Sequence, residues 1–236
     1  METSIPKLEE LLSSTEDWWE DYHHSHRSSA EKLNIFRILE VPDKEVAMCR
    51  MLADLMGNTK RHTNARRYLK MFLKDVLKLE NLPEDFVSRA CVDKEYPIPG
   101  TDRRIDLAIY TMDYFVPIEA KIYAVDQTSQ CYDYYQYAKS WNKTQDKETF
   151  IYYLTLDGKN PSEESISKIE NGKLIDRLSD TACRMISWKH DIVSWLKKIM
   201  REMDAGMERD VTEQYLEVIE EMTGLTEQEK ESEILN

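Results

Sequence analysis

The fold is decided by two short segments, RRIDLAIY at residues 103–110 and FVPIEAKI at residues 115–122. In the first segment the apolar residues recur at odd positions, and in the second they recur at even positions. Side chains alternate between the two faces of a β-strand, so each segment predicts a strand with one core face. Asp106, Glu119 and Lys121 all lie on the opposite face.

The few residues between the segments predict a hairpin, with Met112 and Asp113 as a two-residue loop that lacks the favoured Gly or Asn. This loop sets a register in which the apolar faces of the two strands agree, whereas a slip by one residue breaks that agreement. The predicted opposed pairs are Thr111 with Tyr114, Ile109 with Val116, Leu107 with Ile118, and Asp106 with Glu119. The last pair brings two carboxylates together, with Cβ atoms roughly 5 Å apart.

Carboxylates placed opposite each other repel unless a cation lies between them. A divalent metal ion is the natural cation here, because hard cations prefer carboxylate oxygens as ligands. Lys121 is on the same face, two residues beyond Glu119, and could hold or polarise a water molecule beside the metal.

Asp106, then Glu119-Ala120-Lys121, then Gln130 on a following helix resembles the D…(D/E)xK…Q pattern of the PD-(D/E)XK, or restriction-endonuclease-like, nuclease superfamily. An acidic-x-Lys triplet alone is a weak signal. The acid one strand earlier, with matching parity, and the later glutamine make it stronger. The resemblance covers roughly residues 103–137. It implies an α/β fold, a restriction-endonuclease-like sandwich with a central mixed β-sheet flanked by helices.

The resemblance also implies site roles. Asp106, Glu119 and the Ala120 carbonyl would bind Mg²⁺ or Mn²⁺, and Lys121 would orient or help deprotonate the attacking water. Gln130 would position Lys121 and that water; the other interpretation is a solvated glutamine.

Glu45 matches a helical glutamate that often reaches the metal cluster in this superfamily. Its other interpretation is a first-turn acid that the helix dipole favours.

Composition is compatible with this function but gives it mixed support. The net charge is −13 over 236 residues, which argues against strong non-specific binding of nucleic acid. From Glu202 onward there are 12 acidic and 2 basic residues, so the body of the chain is close to neutral. A run without acids, residues 58–74, predicts either a phosphate-binding patch or a solvated helix face. Its candidate nucleic-acid contacts are Lys60, Arg61, Arg66, Arg67 and Lys70.

The cellular setting is predicted from simple features. No apolar run is long enough to span a bilayer, and the first residues lack the pattern of a signal peptide. The four cysteines are widely spaced and form no CxxC pair, which favours reduced thiols in the cytoplasm over disulfides or a zinc site. His23, His24 and His26 lack metal-site spacing and predict an exposed helix end.

Dimers are common among proteins of the kind that this chain resembles, so a homodimer is a further expectation.

Periodicity predicts one domain over residues 1–225, which the resemblance implies is nuclease-like, and a disordered tail over 226–236. The domain divides into a helical N-terminal part (1–80), a core of sheet and helices (88–203) and an extra acidic helix (208–223). Within it we expect helices over 7–27, 34–39, 42–56, 65–78, 126–140, with Asp126 as N-cap, and 190–203. We expect further strands over 88–96, 149–156 and 183–188, and a polar loop from 157 to about 180.

The resemblance implies a Mg²⁺- or Mn²⁺-dependent nuclease that hydrolyses phosphodiester bonds, with DNA as the substrate. The alternative is a catalytically silent nucleic-acid-binding or protein-interaction module on the same fold. In a third interpretation, the acidic C-terminal segment is the functional part of the protein and either mimics nucleic acid or docks a basic partner.

Overall fold

The structure is a computed structural model that describes residues 33–42, 44–57, 64–80, 82–142 and 148–225. The chain divides into two compact units, residues 1–35 and 36–236, and the fold described below is that of the second. The helix predicted over 7–27 with its histidines, the candidate contacts Lys60 and Arg61, and the tail at 226–236 lie outside the described residues.

A five-stranded mixed sheet forms the centre of this unit, in the order β1-β2-β3-β4-β7. The first three strands are antiparallel neighbours, whereas β3, β4 and β7 run parallel. Its strands are β1 (Cys91–Pro97), β2 (Arg104–Tyr110), β3 (Phe115–Ala120), β4 (Ile151–Thr155) and β7 (Cys183–Ser187). A separate hairpin is formed by β5 (Ser167–Glu170) and β6 (Lys173–Arg177).

The β2–β3 hairpin has the predicted register, with Leu107 opposite Ile118 and Ile109 opposite Val116. The Thr111 amide donates to the Tyr114 carbonyl at 2.8 Å, which closes the predicted two-residue loop. The Thr111 hydroxyl oxygen accepts from the amides of Asp113 and Tyr114, at 3.2 Å each. These side-chain contacts explain how the turn forms without Gly or Asn.

The helices are short and most pack on the sheet. They are α1 (Ile35–Ile38), α2 (Glu45–Met56), α3 (Ala65–Met71), α4 (Phe86–Arg89), α5 (Gln130–Trp141), α6 (Val193–Met200) and α7 (Met207–Met222). A π-helical turn continues α3 at Phe72–Val76, and another leads into α6 at Trp188–Ile192.

Hydrophobic residues form two clusters, one on each side of the sheet. The first joins Leu107, Ile109 and Ile118 to residues of α2, α3, α6 and α7, such as Leu52 and Trp195. The second joins other strand residues to the aromatic face of α5. Every residue of β3 is therefore buried, and the predicted α/β sandwich with a mixed sheet is confirmed.

One residue departs from the predicted alternation of β2. Ile105 belongs to the second cluster rather than to the one that holds Leu107. The β1–β2 ladder is interrupted at Glu95, whose backbone is left-handed with φ 49°. Beyond this point Tyr96 pairs with Ile105, and both pack in the second cluster.

Three predicted elements begin three or more residues after the predicted position. The helix predicted from residue 42 starts at Glu45. The first strand starts at Cys91 rather than 88, because Phe86–Arg89 forms a helical turn in which the Ser88 hydroxyl donates to the Asp85 carbonyl. The helix predicted from Asp126 starts at Gln130. Asp126 is not its N-cap, since its carboxylate accepts from the Tyr153 hydroxyl at 2.7 Å and the Ser162 amide at 2.6 Å.

The predicted polar loop was wrong in its middle, where β5 and β6 lie. The two strands meet at Asn171 and Gly172, whose φ values are 50° and 72°. Asn-Gly is the favoured two-residue sequence for a tight hairpin, so the sequence did contain a signal for this hairpin.

The acidic C-terminal helix α7 is part of the folded body. It buries Tyr215, Val218 and Ile219 in the first cluster, and the Tyr215 hydroxyl donates to the Met48 carbonyl at 2.8 Å. Within the described ranges, no helix combines the length and apolar character that crossing a membrane requires.

Candidate active site

The site lies where β2 and β3 leave their shared ladder, which ends at the Leu107–Ile118 pair. Beyond this pair, the Asp106 carboxylate replaces the backbone as hydrogen-bond acceptor. Its Oδ2 atom accepts from the Ala120 amide at 2.9 Å. This contact holds Asp106 on the end of β3, beside Glu119. The ends of β2 and β3 are therefore joined by a hydrogen bond from the Ala120 amide to the Asp106 side chain, and not by a backbone pair.

Lys121 follows β3 directly and completes the buried charge cluster. Its backbone amide donates to the Leu154 carbonyl of β4 at 2.7 Å, which continues the parallel pairing by one residue. Its Nζ atom lies 2.5 Å from Oε1 of Glu119. Glu119 is 0% exposed and Lys121 only 9% exposed, so this ion pair is recessed below the surface.

Gln130, the first residue of α5, reaches the same carboxylate from the other side. Its Nε2 atom donates to Glu119 Oε1 at 2.6 Å, the oxygen that Lys121 also contacts. The same amide group lies 3.3 Å from the Tyr134 hydroxyl, which donates to the Arg104 carbonyl at 2.5 Å. A buried chain of hydrogen bonds thus connects Lys121, Glu119, Gln130 and Tyr134 to the start of β2.

Burial and mutual repulsion act together on the two carboxyls. Burial raises the pKa of Glu119 well above its usual range, and the charge of Asp106 adds to this effect against the opposing Lys121. Burial also raises the pKa of Asp106, although the hydrogen bond from the Ala120 amide opposes it. Both carboxyls are therefore harder to ionise than an exposed carboxyl.

Lys121 stays charged in this environment. Burial by itself lowers the pKa of its ammonium, but Glu119, Asp106 and Glu45 outweigh burial and raise the pKa overall. The single ammonium group of Lys121 therefore faces the carboxylates of Glu119, Asp106 and Glu45. When Glu119 is ionised, the cluster carries excess negative charge.

Glu45, the first residue of α2, lies close to this cluster but is bound to backbone. Its Oε1 atom accepts the amides of Ile122 at 2.7 Å and Ala124 at 3.2 Å. These contacts fix the chain immediately after Lys121. Helix α2 thereby supports the site across 77 residues of sequence.

The donor set fits a divalent cation. Glu119 Oε2 is buried and lacks a hydrogen-bond partner among the described residues, and buried polar atoms of this kind are costly unless something satisfies them. In the same part of the chain, no group of three or more His, Cys, Asp or Glu side chains is arranged to hold a metal ion. The carboxylate pair would therefore share an ion with the Ala120 carbonyl, with water or with a substrate phosphate.

The described part of the predicted basic patch lies on α3 and is already engaged. Arg66 donates to the Ala90 carbonyl at 2.6 Å. Arg67 forms an ion pair with Glu202, with two contacts of 2.7 Å. Lys70 is exposed on the same helix.

Arg103 is a supporting residue that the sequence did not reveal. Its guanidinium donates to Asp133 at 3.1 Å, to Gln127 at 2.8 Å and to the Thr128 carbonyl at 2.6 Å. It ties the start of β2 to the turn before Gln130. The signal was faint, because a basic residue beside a strand is common and its three partners lie 24 to 30 residues away.

Tyrosines on α5 could either stack on bases or line the interface between the helix and the sheet. Tyr134 is buried, and Tyr137 packs edge-on to Phe115 with ring centroids 5.2 Å apart. Tyr132 is also buried, and its hydroxyl donates to Asp176. These three tyrosines belong to the interface.

Comparison with known proteins gave one result. Neither the curated proteins nor the solved structures contained a significant match. A family model described as the PD-(D/E)XK nuclease superfamily matches residues 33–217. This range includes both carboxylates, Lys121, Gln130 and every strand of the sheet, and the chain belongs to the PD-(D/E)XK nuclease superfamily.

Proposed function

We propose that this protein is a Mg²⁺- or Mn²⁺-dependent nuclease that hydrolyses phosphodiester bonds in DNA. The observation that carries the proposal is the recessed pair of Asp106 and Glu119. One Glu119 oxygen has no donor among the residues that the structure describes, and Lys121 is held against the other. Membership of a nuclease superfamily supports the reaction class.

Asp106, Glu119 and the Ala120 carbonyl are the groups that would hold the ion. A bound divalent cation lowers the pKa of water and neutralises charge on a phosphate. Hydrogen bonds that hold these side chains in position support this role, because the Ala120 amide fixes Asp106 while Lys121 and Gln130 both fix Glu119. Such preorganisation is what electrostatic catalysis requires.

Lys121 orients the attacking water through its ammonium group, whose charge also balances the phosphate. Gln130 acts through Glu119, since its amide shares Oε1 with the Lys121 ammonium. Glu45 contributes by holding the amides of Ile122 and Ala124, and we retain it as a candidate ligand of a second ion.

The basic residues of α3 are the proposed contacts to the DNA backbone. Arg66, Arg67 and Lys70 are joined in this proposal by Lys60 and Arg61, which precede them in sequence. Lysine and arginine bind phosphates mainly through charge, so this contribution should weaken as salt concentration rises. We also propose a cytoplasmic location, because Cys49, Cys91, Cys131 and Cys183 are free thiols.

A catalytically silent module on the same fold is the second candidate, and the net charge of −13 favours it. Binding of metal ions separates the two functions. A silent module has no need of an ion at Asp106 and Glu119, whereas the nuclease requires one.

The test is calorimetric titration of Mn²⁺ into wild type and into the double variant Asp106→Asn, Glu119→Gln, with Asp113→Asn as a control. Asp113 is a carboxylate in the β2–β3 turn, paired with Arg89. Binding by wild type and the control but not by the double variant supports the nuclease, and metal-dependent cleavage of DNA completes the case. The titration is repeated with a short duplex, since a substrate phosphate can complete the metal shell. Absence of binding under both conditions rejects the nuclease.

A further inference from the structure

The loop between Lys121 and α5 presents two apolar side chains to solvent beside the recessed carboxylates. Tyr123 is 66% exposed and Val125 is 85% exposed. Isolated apolar residues are common on protein surfaces, so exposure alone identifies nothing. What suggests a function is that these two residues lie next to the site and that hydrogen bonds hold their backbone.

This loop is anchored along its whole length. Glu45 accepts the amides of Ile122 and Ala124, which are the two neighbours of Tyr123. Asp126 accepts from the Tyr153 hydroxyl and the Ser162 amide. The protein therefore holds the Tyr123 ring in water on a fixed backbone, two residues from the proposed catalytic lysine.

The depth of the site limits what can reach it. Glu119 is 0% exposed and Lys121 is 9% exposed, so a scissile phosphate has to reach them below the surface. A B-form duplex is broad and stiff, and its bases are already stacked on both faces. A single strand is narrower, and its unpaired bases have free faces on which an aromatic ring can stack.

The negative net charge of the protein also favours a single-stranded ligand. The chain carries a net charge of −13, and Arg67 is already paired with Glu202. Affinity drawn from phosphate contacts alone is therefore limited. Stacking of bases on aromatic side chains supplies affinity that needs no positive charge.

We propose that Tyr123 stacks on an unpaired nucleobase next to the scissile phosphate, with Val125 packing beside it, so that the enzyme prefers single-stranded DNA or frayed ends to a continuous duplex. This inference rests on the proposed nuclease function and names its substrate class. Tyr123 acts in binding and selection of the substrate, whereas Asp106, Glu119 and Lys121 act in the reaction.

The experiment measures anisotropy of a fluorescein-labelled oligonucleotide, single-stranded or in a blunt duplex, with the full chain carrying Asp106→Asn to prevent cleavage. Tyr123→Ala is compared with Tyr123→Phe, which keeps the ring. The control is Met112→Ala, since Met112 is 90% exposed in the β2–β3 turn. Tyr123→Ala should weaken single-strand binding roughly tenfold or more and change duplex binding little. Tyr123→Phe and Met112→Ala should bind the single strand as well as the parent.

Mn²⁺ calorimetry on Tyr123→Ala, without the Asp106 change, separates this inference from the proposed function. Binding of Mn²⁺ with cleavage of DNA, but equal losses on single strand and duplex or no loss at all, overturns the role of Tyr123 and leaves the nuclease intact. A wild-type protein that binds neither Mn²⁺ nor any oligonucleotide overturns both proposals.

Discussion

The ammonium of Lys121 lies 2.5 Å from Oε1 of Glu119, and the carboxamide of Gln130 lies 2.6 Å from the same oxygen. Two donors from different elements thus converge on one oxygen, while the other oxygen of Glu119 is buried and has no hydrogen-bond partner in the described part of the chain. Hard cations bind carboxylate oxygens of this kind. The division of Glu119 into a satisfied oxygen and an unsatisfied oxygen is the basis of the first two predictions.

Removal of any one charge from the cluster should abolish cleavage with the fold retained. Asp106→Asn, Glu119→Gln and Lys121→Met keep approximate size and avoid the cavities that alanine would leave in a buried site. We expect each to lower the cleavage rate by at least about 100-fold, with an unchanged circular dichroism spectrum. Lys94→Met, on the exposed face of β1, is the matched control. Near-wild-type cleavage by any of the three site variants contradicts its assigned role.

Stability of the metal-free protein should depend on pH through Glu119. Its pKa is raised on folding, mainly by burial, so the folded state holds a proton that the unfolded chain releases. Stability is therefore greatest below the unfolded pKa of about 4.3 and falls as pH rises through the folded pKa, by about 1.4 kcal/mol for each unit between them. Glu119→Gln cannot lose that proton, so its stability relative to wild type should increase over this interval.

Urea unfolding of both proteins in EDTA, at a series of pH values, measures this difference. Saturating Mn²⁺ should stabilise wild type more as pH rises, because the ion binds the ionised carboxylates. A constant difference between the two proteins from pH 4 to pH 9 would falsify the assignment of a buried, proton-binding Glu119.

Much of this site follows from sequence because it is built from one hairpin. The alternation of apolar residues sets the register of Leu107 with Ile118, and the same alternation predicts that Asp106 and Glu119 share one face. Short-range rules suffice there, since strand geometry and turn length leave few alternatives.

The supporting contacts could not be predicted in this way. Glu45 reaches Ile122 across 77 residues, and Arg103 reaches Asp133 across 30. Such contacts depend on how helices pack on the sheet, and neither periodicity nor spacing encodes that packing. The same holds for Asp126, whose sequence resembles an N-cap but whose carboxylate is taken by Tyr153 and Ser162.

Glu45 offers a clear choice between support of the loop and binding of a metal ion. Glu45→Gln keeps an oxygen that can accept the amides of Ile122 and Ala124 but loses the charge, whereas Glu45→Ala loses both. If Glu45 acts as a support, Mn²⁺ affinity should change less than threefold in Glu45→Gln and fall at least tenfold in Glu45→Ala. Calorimetry measures both values. Equal large losses in the two variants would instead assign Glu45 as a ligand.

The ion pair between Arg67 and Glu202 should restrict binding of DNA by α3. Glu202→Gln releases Arg67 for a phosphate, so we expect affinity for a short DNA to rise severalfold at low salt and the salt dependence to become steeper by about one phosphate contact. Anisotropy titrations from 50 to 200 mM salt measure both effects. Glu221→Gln is the matched control, because it makes the same change in net charge but removes a partner of Arg37, which is outside the patch. An equal gain in both variants would mean that net charge, and not release of Arg67, controls binding.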